Sequence, residues 1–189
     1  MTTFVLSVFN AGLIKGDGLE SVVLPLALFY GGLSQLLAGM WEFRKANTFG
    51  ALAFTSFGAF WLSFAAYVRY VVPSIPDSSA NQIPHITGLF LLAWTIFTAY
   101  MLIASLRVSG AVAAVFLFLT ATFLLLTIGA FGSYPNVTKA GGYVGIVTAA
   151  AAWYASFAGV TNATYRRTVL PVFPARFARH EYPNDRQGR

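Results

Sequence analysis

The chain has 189 residues, 57% hydrophobic and only 10% charged, with a formal net charge of +6 and a mean hydropathy of +0.67. Soluble domains carry about 25% charged residues, so a globular domain in water is excluded: too few polar side chains exist to cover its surface. Cysteine is absent, which removes disulfides, thiolate chemistry and any inference about redox compartment.

Met1 to Ile14 is apolar but too short to cross a bilayer, and Asn10 interrupts it. It lacks the basic start and small-residue cleavage site of a signal peptide. It reads as the outer half of a first transmembrane helix whose inner half would lie upstream of Met1. Lys15 to Glu20 is an outer turn. Five uncharged or nearly uncharged runs follow, Ser21–Trp41, Thr48–Val68, Ile86–Leu106, Gly110–Phe131 and Ala140–Tyr165. Each matches the roughly 20 apolar residues that span the hydrocarbon layer as a helix. One such run could be a buried core helix, but five in succession cannot. Backbone groups in lipid must bond within their own segment, and no run alternates as a barrel strand does. The fold class is therefore all-α, a polytopic membrane helix bundle of six-helix design with its first helix incomplete.

The linkers agree. Trp41–Asn47 and Arg107–Ser109 are short basic turns, Pro73–Pro84 is the longest outer loop, and Gly132–Lys139 returns outside. Residues 1–165 form the bundle, and 166–189 form a basic cytoplasmic tail, disordered or lying on the membrane surface. With the Ser21–Trp41 helix ending inside, the inner segments hold Arg44, Lys45, Arg107, Arg166, Arg167, Arg176, Arg179, Arg186 and Arg189. Lys15, Arg69 and Lys139 lie outside. That division follows the positive-inside rule, so the net charge reports topology and headgroup anchoring and calls for no nucleic acid. Asn136-Val-Thr is a formal glycosylation sequon too near the membrane to be an acceptor, and Asn162-Ala-Thr falls at an inner helix end.

Polar residues at membrane depth are costly and become candidates for a substrate path. They are Tyr30, Gln35, Glu42, Asn47, Thr48, Thr55, Ser56, Ser63, Tyr67, Thr95, Thr98, Thr120 and Thr127. A lone Ser or Thr usually bonds its own helix backbone. Gln35 is harder to dismiss, because its amide has four bonding positions to satisfy. Asn47 is placed to cap the third helix, whose N-terminus would favour an anion, and Arg44 and Lys45 add charge at the same inner mouth. Glu42 is the carboxylate adjoining that mouth, expected to pair with Arg44 or Lys45. Small residues (Gly31, Gly32, Gly39, Gly50, Gly58 and the run Ala149–Ala152) suit close helix packing in lipid. No cofactor or metal site is indicated. Clustered His, Cys or paired carboxylates are lacking, so an intramembrane enzyme is excluded.

Phe29-Tyr-Gly-Gly-Leu-Ser-Gln35, Ala38-Gly-Met-Trp-Glu-Phe43, Asn47-Thr-Phe-Gly50 and Phe54-Thr-Ser-Phe-Gly-Ala-Phe-Trp61 closely resemble the acetate uptake transporter family, with Ala152-Trp-Tyr-Ala closest to its fungal plasma-membrane branch. The resemblance runs to about Leu170. It implies a six-helix protomer with both ends cytoplasmic, assembled as a homohexamer. Each protomer would carry a path for acetate or similar small carboxylates, with proton coupling left open. It also implies a narrowing by three apolar or aromatic side chains. Phe57 matches the third-helix member, where many relatives carry Tyr, and Leu119 matches the fifth-helix member. The first-helix Phe and the family's Asn-Pro-Ala-Pro-Leu-Gly-Leu stretch would lie upstream of Met1. Phe57 in place of Tyr removes a hydroxyl and makes the narrowing more purely apolar. Ammonium or ammonia export, and a membrane sensor or organiser of the same fold, are the competing readings.

Overall fold

The computed structural model describes residues 1–16 and 18–175, so the tail residues Arg176, Arg179, Arg186 and Arg189 lie outside the described residues. Six helices fill what is described: α1 Thr2–Asn10, α2 Leu19–Arg44, α3 Thr48–Ser74, α4 Asp77–Ser105, α5 Gly110–Phe131 and α6 Pro135–Tyr165. The last five are long and apolar enough to cross a membrane. This is the helical bundle that the apolar runs require.

The helices outrun the apolar windows, because a hydropathy window finds only the lipid-embedded part while the helical backbone continues into the interface. The Pro73–Pro84 stretch is mostly helical rather than loop: Asp77–Gln82 forms 3₁₀ turns that lead into Ile83–Ser105, with Pro84 in the first turn. A proline there gives up an N–H that has no intrahelical partner anyway. Pro135 likewise opens α6, four residues before Lys139. Inside α2, Pro25 is followed by wide π turns from Leu26 to Ser34. They place Ala27, Gly31 and Gly32 against α3, where any added Cβ on Gly31 would meet Trp61 and on Gly32 would meet Leu62.

α2 packs on α3, α4 on α5, α5 on α6, and α1 on α6, with α1 also touching α2. The seam between α3 and α4 differs, since their backbones stand further apart and bulky side chains fill the interval. The residue chain from Arg166 departs from the expected loose tail. Its described part, up to Ala175, lies hydrogen-bonded along the C-terminal end of α6 and the N-terminal end of α5.

Candidate functional site: an aromatic cluster between three helices

Three stripes at helical spacing converge on the middle of the bundle: Phe57, Phe60 and Phe64 on α3, Phe90, Trp94 and Phe97 on α4, Phe116, Leu119 and Phe123 on α5. Positions three and four apart share one helix face, so each stripe faces inward. Phe57 is only 8% exposed. Its ring lies 5.3 Å from Phe97, 6.0 Å from Phe116 and 6.1 Å from Trp94, within the edge-to-face and tilted range of favourable ring pairs. Phe60 continues the cluster with Trp94 at 5.0 Å and Phe123 at 5.3 Å. Leu119 packs against the same cluster, as do Val5, Leu6 and Phe9 of α1. Neither the cleft beside Tyr30 and Gln35 nor the one beside Leu102, Leu106 and Leu117 takes in Phe57 or Leu119.

One cleft, of about 410 Å³, takes in two path candidates. Tyr30, Ser34 and Gln35 of α2 line it with Thr2 and Thr3 of α1, Trp61 of α3 and Ser156 of α6. Tyr30 is 57% exposed there and Gln35 half-buried. Thr55 and Thr120 instead turn inward on their own helices. Their hydroxyls donate to Ala51 and Phe116 carbonyls, at 2.7 Å each, as isolated threonines in helices do. Ser56 is half-buried and Thr48 is exposed at the start of α3.

At the α2–α3 turn, Asn47 caps α3 by accepting the Gly50 N–H at 3.1 Å, while its amide donates to the Glu42 carboxylate. Lys45 completes the group, its Nζ 3.8 Å from Glu42. Of the two expected partners Glu42 therefore takes Lys45, and Arg44 lies over the Trp41 ring at 5.6 Å. Gly50 leaves room for this pair: a Cβ there would sit 2.6 Å from the Asn47 amide nitrogen and 2.9 Å from the Glu42 carboxylate, so a larger residue would push both side chains aside. The result is a basic rim in which Glu42 neutralises part of the charge and Asn47 holds the turn. The Asn162 sequon is accounted for too: its amide bonds Val169 and Leu170.

The partners of Phe57 on α4 were not singled out from the sequence. Phe90, Trp94 and Phe97 at i, i+4 and i+7 carry the signal that would have found them. Further along, Thr95 and Thr127 join α4 to α5, and Thr122 and Thr148 join α5 to α6, at 3.0 and 3.1 Å.

These features define a polytopic α-helical membrane protein with an aromatic cluster packed between α3, α4 and α5, a cleft beside Tyr30 and Gln35, and a basic turn at Asn47. The chain belongs to the GPR1/FUN34/yaaH family, whose model matches residues 1–176. It is 41% identical over 177 residues to the Saccharomyces cerevisiae "Ammonia transport outward protein 2", covering 92% of this chain and 61% of that protein. It is 40% identical over 184 residues to Emericella nidulans "Acetate permease A", covering 91% of this chain and 61% of that one. The chain thus spans about three fifths of the length of these fungal relatives. Its fold superposes on the solved structure of the bacterial acetate channel SatP with a TM-score of 0.83 and 34% identity, covering 91% of this chain and 92% of that one.

Proposed function

We propose that this protein passes acetate and similar small monocarboxylates across the plasma membrane, through a path in each protomer that narrows at Phe57 and Leu119. The observation that carries this reading is the buried Phe57, ringed by α4 and α5 aromatics, in a fold shared with an acetate channel over nine tenths of its length. An apolar constriction admits a small neutral or briefly dehydrated solute and resists hydrated ions. A two-carbon acid suits it, being small and neutral once the pH falls to roughly 4 to 5. The rings close on Phe57, so passage requires them to rotate aside. Lys45 and Arg44 at the rim would draw the carboxylate toward that point. In this reading the six-helix design has both ends in the cytoplasm and the protomers assemble as a homohexamer.

The test is uptake of labelled acetate by vesicles containing the purified protein. Phe57→Ala and Leu119→Ala are each expected to raise uptake of larger acids relative to acetate by several-fold. Unchanged discrimination in both variants would sink the assignment of the narrowing. Ammonia export is the second reading, favoured by the likeness to the ammonia transport outward protein. It would show as ammonium release from loaded vesicles with no acetate uptake.

A further inference from the structure

Residues 166–175 lie across the inner face of the bundle, and every fixed point of that course is a hydrogen bond. Asn162 on α6 accepts the N–H groups of Val169 and Leu170 at 2.7 and 2.9 Å, and its own amide donates to the Leu170 carbonyl at 2.8 Å. The Tyr154 hydroxyl, also on α6, donates to the Pro171 carbonyl at 2.7 Å. The segment then meets the start of α5: Gly110 N–H donates to Phe173 carbonyl at 2.7 Å and Ala111 N–H to Val172 carbonyl at 3.2 Å. Ser109 pairs with Pro174 in an isolated antiparallel bridge. Phe173 adopts a left-handed φ of 52° to make the turn, a conformation an aromatic residue holds only when its surroundings impose it. Gly110 lets the backbone come this close, since a Cβ there would sit 3.0 Å from that of Phe173.

The strap is bonded to the first turn of α5, the helix that packs on both α4 and α6 and carries Leu119. From Gly110 to Phe131, α5 is apolar on all sides and carries no charge. Its own apolar surface sets no preferred rotation or depth in lipid, so its contacts with α4, α6 and the strap decide where it sits. Its side-chain ties to neighbouring helices, Thr127 to Thr95 and Thr122 to Thr148, are shared with bonds to helix carbonyls. Yet α5 carries Phe116 and Leu119, and Leu119 lies nine residues, about 13 Å, from the bonded Gly110. An axial slip of one residue would move Leu119 by about 1.5 Å and rotate it by a quarter turn or so.

We infer that the 166–175 strap sets the depth and rotation of α5 and thereby the size selectivity of the narrowing, with Asn162 and Tyr154 as positioning residues. This rests on the conduit reading proposed above. Asn162→Leu keeps the side-chain size and removes three bonds to the strap. Backbone amide exchange reads the strap directly: Gly110 and Ala111 should exchange on the order of tenfold faster or more, since each lost bond contributes about 1 kcal/mol. In vesicles the ratio of propionate to acetate uptake should rise about threefold, a fraction of what one methylene can decide in a fitted pocket. A merely structural role would lower the amount of active protein and leave that ratio untouched.

Two results would overturn the inference: protected Gly110 and Ala111 amides in the variant, or exposed amides with an unchanged ratio while Leu119→Ala still shifts it. If Leu119→Ala and Phe57→Ala both leave the ratio unmoved, the assignment of the narrowing falls and the inference with it. Should Asn162→Leu not be recovered folded, Tyr154→Phe, which removes only the bond to Pro171, must move exchange and ratio the same way by about twofold, and no change would overturn it.

Discussion

The α5–α6–α1 side of the bundle and the α3–α4 side solve the packing problem in opposite ways. On the first, glycines bring backbones into contact: Gly142 faces the backbone of Asn10 and Ala11, Gly129 faces that of Thr138, and Gly145 faces Ser7. On the second, Phe57, Phe60, Trp94 and Phe97 hold the backbones apart. Without a hydrophobic driving force in lipid, close backbone packing is what makes a helix seam rigid. Aromatic rings instead leave a volume that can be reopened by rotating a few χ angles. The molecule thus places its stiff seams at the periphery and its adaptable material at the axis, where a solute would pass.

The largest expected effect tests the stiff side. Gly142→Ala adds one methyl group that would stand 2.6 Å from the Asn10 carbonyl carbon, with only backbone in its way. Backbone cannot rotate out of a clash, so α1 must lift from α6, at a cost of about 3 kcal/mol. Thermal unfolding in detergent should show a clear loss of stability, and proteolysis should release α1 first. A neutral result would mean that the α1–α6 seam is as adaptable as the axis.

The opposite side should absorb a larger chemical change at lower cost. Phe57→Leu keeps an apolar side chain at the girdle and leaves the surrounding rings free to repack, so stability should fall by about 1 kcal/mol, less than for Gly142→Ala. The order of the two unfolding temperatures, measured side by side, checks the contrast. Reversal of that order would remove the distinction between rigid seam and adaptable axis.

Much of this arrangement was legible in the residues, for reasons that differ by region. Five spans followed from the length of the apolar runs, because the bilayer sets a length that composition must meet. Phe57 came from its motif, and Asn47 as a cap from its position before Thr48, borne out by its bond to Gly50. Trp94 and Phe97 went unremarked because the membrane-spanning part of α4 carries only scattered hydroxyls, with no polar face against which an inward stripe stands out. The strap was hidden for a different reason. A basic, proline-bearing stretch after a span reads as a loose tail, and its order depends on Asn162 and Tyr154, eight residues apart on one helix. The sequon reading drew notice to Asn162 without its bonding partners, since long-range polar ties leave no periodic trace.

The smallest effect concerns a hydroxyl pair that stands within bonding distance on the stiff side. Thr122 and Thr148 stand 3.1 Å apart across the α5–α6 seam. Each is also placed to donate to its own helix, Thr122 to Phe118 carbonyl at 2.8 Å and Thr148 to Val144 carbonyl at 2.9 Å. A hydroxyl has a single hydrogen, so only one of the two can donate across the seam at a time, and the donor then gives up its own carbonyl bond. The bridge therefore adds little beyond what either threonine has alone. A double-mutant cycle with Thr122→Val and Thr148→Val should return a coupling of about 0.6 kcal/mol, the scale measured for such bonds between membrane helices. A coupling above about 2 kcal/mol would move the stiffness of the α5–α6 seam from the close approach at Gly129 to its hydroxyls.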